Sequence, residues 1–323
     1  STVDSAMRTD KEAALREYYN IFTNEGGDGQ IIKRARIIKN SYNRIPVLKN
    51  PDGRREYVFA YDPARSHDNS ALAIGELYED PTQGLKMKIV NLVCLQDYFK
   101  ANKTPMNTPN QIKAIKQLLL DYNGDGVADY QNIKRFLVDA GSGGAGVPIT
   151  DFFLEDWEDS DGLMHRGLID KEYSAEEARN FPNAIPDIVK LMSPLKYKSE
   201  MFESLIQMMD LGLIEFPNEY DGKGFINLIY EIDKNGNRTL RDYFPSEDEE
   251  KILSKKEITV DTQIHKLNTY EEIALKQIDH AKTELVNIYR FKQASGKDRF
   301  DLDPQKANKM HDDRALRHRA NAA

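Results

Sequence analysis

Two aspartates stand where short apolar runs stop: Tyr57-Val-Phe-Ala-Tyr61 ends at Asp62, and Phe136-Leu-Val138 ends at Asp139. An apolar run of that length, bounded by turn signals, reads as a buried central strand. In open α/β sheets the ligand crevice lies outside the carboxyl ends of such strands, so both acids can face one site. At ~4 Å and an effective dielectric of ~20 two carboxylates repel by on the order of 4 kcal/mol, so a cluster of them takes up protons or binds a cation. Oxygen-only donors select a hard ion, Mg²⁺ or Mn²⁺, over zinc, which prefers the six His and single Cys that this chain offers sparingly. Near the end, His311-Asp312-Asp313-Arg314 places adjacent acids at a helix start, where Asp312 or Asp313 would complete the cluster.

The elements that must position these residues follow from periodicity. The pattern over Lys11 to Phe22 predicts an amphipathic helix that Gly26-Gly27-Asp28-Gly29 ends, and Lys33 to Lys39 is a basic face. After the turn at Asn50-Pro51-Asp52-Gly53, the runs 57–61, 70–77 and 85–95 predict an antiparallel meander of three strands. Pro109 to Tyr122 predicts a helix with Thr108 as its N-cap, followed by the strand 136–139. Helices are expected over 148–156 and 200–211, then a strand over 212–217, which gives the order β-β-β-α-β-α-α-β. Residues 218–264 are polar and rich in turn signals and read as an insertion carrying a hairpin or a loose subdomain. A helix over 270–285, a hairpin of 286–291 against 299–302, and a polar helix from Pro304 complete the chain.

At 323 residues the chain is long enough for one or two domains, and it has no stretch near the roughly 18 apolar residues that span a bilayer. Ser1 to Asp10 contains no secretory signal pattern, and the expected compartment is cytosolic. The only cysteine, Cys94, lies in an apolar run and reads as a buried strand thiol. A net charge of −8 argues against a general nucleic-acid binder, except where basic patches flank a carboxylate site whose charge a divalent ion cancels. Asp121-x-Asn123-x-Asp125-Gly126 copies the opening of a calcium loop, but its twelfth position is Asn132 where a bidentate Glu is needed, so a polar turn is expected. No Gly-x-x-x-x-Gly-Lys-Ser/Thr loop occurs; the glycines at 141–146 are followed by Val147 and Pro148.

Taken in order, Tyr61-Asp62-Pro63-Ala64 with Asp68-Asn-Ser-Ala-Leu-Ala-Ile74, Phe136-Leu-Val-Asp139-Ala-Gly141, Gln277 through Glu284, and His311-Asp312-Asp313-Arg314-Ala315 resemble the successive nuclease motifs of phage terminase large subunits. Glu17 to Phe22 resembles the segment that leaves the motor domain of such proteins. The resemblance implies an RNase H-like α/β fold: a mixed sheet of three antiparallel strands and then parallel strands, flanked by helices, with an inserted hairpin or subdomain at about 218–264. It implies a lead-in over residues 1–50 from a missing ATPase domain and a nuclease domain over 51–323. The activity implied is a metal-dependent endonuclease that cuts concatemeric double-stranded viral DNA during genome packaging, by hydrolysis with two Mg²⁺ or Mn²⁺ ions. Asp62 would bridge both ions, Asp139 and one of Asp312 or Asp313 would hold one each, and His311 would stand beside them. Double-stranded DNA, a portal protein, a small terminase subunit and the ATPase domain are the implied partners, in the host cell cytoplasm and with no membrane. After Ala315 the chain departs from the family with the basic Leu316-Arg317-His318-Arg319. Two alternatives stay open: another RNase H-like nuclease, such as a resolvase or an RNase H, and a non-catalytic docking module for portal or packaging partners.

Overall fold

A computed structural model of the chain describes residues 30–63, 70–140, 146–172, 177–292 and 298–302. The expected helices over 11–22 and from Pro304 lie outside these residues. The chain enters through the short helix α1 (Arg34–Lys39) and strand β1 (Ser41–Tyr42), and continues into β2 (Glu56–Asp62), β3 (Ala71–Asp80) and β4 (Gly84–Cys94). Helices α2 (Leu95–Ala101) and α3 (Thr108–Asn123) lead to β5 (Ile133–Asp139), and the short helix α4 (Gly146–Asp151) follows. Four two-residue strands come next: β6 (Trp157–Glu158), β7 (Met164–His165), β8 (Leu168–Ile169) and β9 (Ile185–Pro186). They precede β10 (Val189–Met192), α5 (Pro194–Asp210) and β11 (Ile214–Pro217).

The main sheet has seven strands in the order β1-β11-β4-β3-β2-β5-β10. Strands β2, β3 and β4 form an antiparallel meander, β5 joins β2 in parallel, and β10 joins β5 in parallel. Three antiparallel strands continued by parallel ones make the RNase H-like arrangement. Because β11 runs parallel to β4 and β1 parallel to β11, α1 and β1 are built into the far edge of the same sheet.

Alternation of side chains divides the core between the two faces. On one face Tyr57, Phe59, Tyr61, Phe136 and Val138 pack with Leu95, Phe99, Ile115 and Leu119 of α2 and α3 and with Phe153 in the turn after α4. On the other, Ala71, Ala73, Leu92 and Ile214 pack with Phe202 and Met209 of α5 and with Ile278, Ala281 and Leu285. Those last three belong to helix α7, described below.

The inserted region is a separate three-stranded antiparallel sheet, β12 (Phe225–Ile232), β13 (Arg238–Arg241) and β14 (Thr259–Lys266), with α6 (Glu247–Lys255) between its last two strands. Asp233 makes the β12–β13 turn by accepting the backbone amides of Asn235 and Asn237, both at 2.8 Å. Helix α7 (Thr269–Val286) returns to the core, and the hairpin β15 (Ile288–Lys292) and β16 (Asp298–Leu302) closes that face. No helix among the described residues is long and apolar enough to cross a membrane.

Three local expectations are corrected. Helix α3 is capped by Asn107, not Thr108: the Asn107 side chain accepts the Asn110 amide at 2.9 Å, which leaves Thr108 inside the first turn. The helix expected over 148–156 stops at Asp151, and the chain turns there with Phe152 and Phe153 bonded back to Ile149 and Thr150. Strand β10 is absent from the expected order, because four residues containing a lysine carry no strand pattern until β5 supplies their hydrogen bonds.

Candidate metal centre

Strand parity decides where the two acids point. Tyr57, Phe59 and Tyr61 fill the α3 side of the sheet, so Asp62, next in the chain, belongs to the opposite face. On β5 the same alternation buries Phe136 and Val138 on the α3 side and gives Asp139 to the face of Asp62. The parallel ladder pairs Tyr61 with Val138, so the next residues, Asp62 and Asp139, stand side by side at the ends of adjacent strands, about 4.8 Å apart in backbone spacing. Asp62 is buried, at 5% exposure, while Asp139 is half-buried. Across the ladders Asp62 faces Ala71 and Asp139 faces Met192.

Two carboxylates on one face, with oxygen donors only, fit one side of a hard divalent ion that keeps waters on its remaining positions. Among the described residues no group of three or more His, Cys, Asp or Glu is close enough to hold a metal ion. Asp312, Asp313 and His311, expected to complete the cluster, lie outside the described residues.

Behind the pair, on the α3 face, lies a buried polar network that the sequence reading missed. The hydroxyl of Tyr61 donates to Gln111 Oε1 at 2.7 Å, and the hydroxyl of Ser70 donates to the same oxygen at 2.9 Å. The Ser70 amide donates to Gln96 Oε1 at 2.8 Å, and its carbonyl accepts the Leu95 amide at 2.9 Å. Burial pushes the Tyr61 phenol well above its ordinary range, so it stays a donor. In the sequence the network's one trace is that Gln111 interrupts the stripe of Ile115, Leu119 and Tyr122, where an amphipathic helix calls for an apolar residue. The segment Gln277 to Glu284 supplies the core face of α7. Gln277 is buried and donates to Asp97 Oδ2 at 2.8 Å, and Glu284 is fully buried.

The calcium-like loop is a structural turn. Asn123 accepts the Asn132 amide at 3.0 Å and donates to the Val127 carbonyl at 2.6 Å, while Asn132 donates to the Gly53 carbonyl at 2.8 Å. Gly124 has φ +94° and its α-carbon is so close to Gly53 that a Cβ would come within 2.7 Å of Gly53 Cα.

At the far edge of the sheet a second charged cluster roots the insertion. Glu215 of β11, only 3% exposed, accepts from Lys86 at 2.7 Å, from the Tyr78 hydroxyl at 2.6 Å, and from Arg44. Arg44 also donates to both oxygens of Asp242, at 3.1 and 3.3 Å, one residue beyond β13. Burial alone would raise the Glu215 carboxyl, but its bonds from Lys86 and Tyr78 and the charge of Arg44 outweigh that and hold it below the ordinary carboxylate range. Desolvation and the bond to Glu215 push the Tyr78 phenol up to about 12. Arg44, Glu215 and Asp242 line a cleft of ≈ 600 Å³ between the sheet edge and the insertion.

No family model matches this sequence, and no curated protein matches it. Among solved structures the chain is similar to the large terminase nuclease from thermophilic phage G20c, at 15% identity over 91% of this chain and 97% of that one, with a TM-score of 0.41. It is similar to the same phage's nuclease with bound magnesium, at 16% identity over 69% and 93% and a TM-score of 0.31. It is also similar to the Thermus phage P74-26 large terminase nuclease domain, at 14% identity over 91% and 94% and a TM-score of 0.39. These three structures are nucleases of phage large terminases.

Proposed function

We propose that this chain is a metal-dependent endonuclease that cuts concatemeric double-stranded DNA during viral genome packaging. The observation that carries the reading is the pairing of Asp62 with Asp139, two carboxylates on one face at the ends of adjacent parallel strands. The two acids are delivered by adjacent interior strands of the sheet, β2 and β5. Asp62 and Asp139 would hold Mg²⁺ or Mn²⁺, with Asp312 or Asp313 as the third carboxylate and His311 beside it. A bound pair of such ions lowers the pKa of an attacking water and stabilises the leaving 3′ oxygen of a phosphodiester. Asp62, the more buried acid, and Asp139, at the rim, would both serve as ligands. With no ion bound, the paired charges repel a phosphate, so DNA engagement and metal loading are coupled.

In this reading residues 51–323 form the nuclease unit with 218–264 inserted, and 1–50 lead in from an ATPase domain, with α1 and β1 at their end joined to the edge of the nuclease sheet. The portal protein, the small terminase subunit and that ATPase domain are the proposed partners, in the host cell cytoplasm. The test is digestion of supercoiled plasmid with Mg²⁺ or Mn²⁺, with chelator and Asp62→Ala as controls. Cleavage that needs metal and disappears in Asp62→Ala is expected, with the circular dichroism spectrum retained. Cleavage at the wild-type rate by Asp62→Ala would refute the assignment, and preference for RNA–DNA hybrids or four-way junctions over duplex would move the substrate to an RNase H or a resolvase.

A further inference from the structure

We infer that Gln111 is a positioning residue for the Asp62–Asp139 pair, acting from the opposite face of the sheet through Tyr61 and Ser70. The inference rests on the nuclease reading and adds to it the residue that holds the more buried acid in place.

Asp62 and Ala71 form the last pair of the β2–β3 ladder, and a terminal pair is where a ladder frays. The residues flanking that pair, Tyr61 on one strand and Ser70 on the other, both donate their hydroxyls to one oxygen of Gln111. A carboxamide oxygen has two lone pairs, and this one spends both on closing the ladder end. All three side chains are withdrawn from water: Gln111 is 4% exposed, Tyr61 2% and Ser70 0%. Ser70 is held a second time through its backbone, to Gln96 and Leu95 at the start of α2. The strand end that carries Asp62 is therefore fixed to two helices on the side away from the acids.

Core packing alone does not call for this arrangement. Gln111 lies on the buried face of α3 with Ile115 and Leu119, where Met or Leu at 111, Phe at 61 and Ala at 70 would keep an apolar core without a buried polar side chain. What the polar trio adds is resistance to displacement. Repulsion between neighbouring carboxylates acts to spread the two strand ends, and a metal site tolerates only small errors in ligand position.

The experiment uses the full chain and its Gln111→Met, Tyr61→Phe and Ser70→Ala variants. Mn²⁺ affinity is measured by calorimetry, the Mn²⁺ concentration for half-maximal plasmid cleavage and the KM for DNA by kinetics, and folding by thermal melts. Gln111→Met is expected to weaken Mn²⁺ binding roughly 10-fold or more and to raise the half-maximal Mn²⁺ concentration by the same factor, with KM for DNA unchanged. Tyr61→Phe and Ser70→Ala should shift both quantities in the same direction by a few-fold, and Tyr61→Phe combined with Gln111→Met should bind no worse than Gln111→Met alone. If Gln111→Met does not fold, the two hydroxyl variants decide. Wild-type Mn²⁺ affinity in the folded variants, with or without a lower melting temperature, overturns the inference and leaves the nuclease reading intact. A wild-type chain that neither binds Mn²⁺ nor cuts DNA overturns both.

Discussion

Replacing Glu215 by Gln tests whether the buried cluster at the sheet edge holds the insertion to the body of the domain. The carboxylate is 3% exposed and compensates Lys86, itself only 7% exposed on its side chain, and Arg44. Gln keeps the shape and an acceptor but leaves one positive charge without its counter-charge. Arg44 retains Asp242, so the loss falls on Lys86, which keeps its bond to Gln83 Oε1 at 3.1 Å and its place over the Tyr78 ring. Removing one partner of a buried ion pair costs about 3–5 kcal/mol, and the lower end applies because Lys86 keeps that neutral bond. At about 2 °C per kcal/mol for a chain of this size, the melting temperature should fall by about 6 °C at pH 7. The pH dependence has a definite sign. The folded-state carboxyl is depressed, so its stabilisation is complete above the ordinary Glu value of about 4.3 and is lost as pH falls through the lower folded value. The gap between wild type and Glu215→Gln in urea unfolding should therefore be constant near neutrality and close below about pH 4. Hydrogen exchange in β12–β14 should quicken in the variant, because Arg44 then has one anchor where it had two. A variant within about 1 kcal/mol of wild type at pH 7, or a gap that persists at low pH, would refute the reasoning.

Mn²⁺ at about 100 times its Kd should stabilise the wild type by about 2.7 kcal/mol, read as a raised melting temperature in scanning fluorimetry; Asp139→Asn should show no such rise. Gly167→Ala should cost about 3 kcal/mol or more and cut the soluble yield, since an added Cβ would lie 2.0 Å from the Leu154 carbonyl oxygen and 2.6 Å from its carbon. Asn123→Ala should cost about 2 kcal/mol in urea unfolding by orphaning the Asn132 amide and the Val127 carbonyl, and millimolar Ca²⁺ should leave the wild-type melting temperature unmoved.

Where an element carries its own pattern, it was legible in the chain. The apolar runs of β2, β3 and β4 announce a meander, and α3 and α7 were found to within two residues because their stripes repeat over four turns or more. Asp62 and Asp139 were visible for the same reason, each marking the end of a run. Strand β10 was not, since Val189–Met192 becomes a strand only by pairing with β5. Nor was the Gln111 network, because a polar residue in a helical stripe looks like a solvated interruption until the fold buries it. Arg44 and Glu215 are 171 residues apart in sequence, and no local rule joins them.

The face on which Asp139 stands depends on a single irregularity. Tyr57 pairs with Ile133 but Val58 pairs with Arg135, so Lys134 is an extra residue in β5. Ile133, Phe136 and Val138 all pack on the α3 side, which strict alternation from Ile133 would forbid. A regular ladder anchored at Ile133 would send Arg135, Leu137 and Asp139 into that core and turn Phe136 and Val138 toward Asp62. Lys134 absorbs the change of parity where its own side chain can stay exposed and pair with Glu56 at 2.8 Å. The bulge lies at the opposite end of the strand from the acids, so the same device that reconciles the burial of Ile133 with that of Phe136 also delivers the second carboxylate to the face of the first.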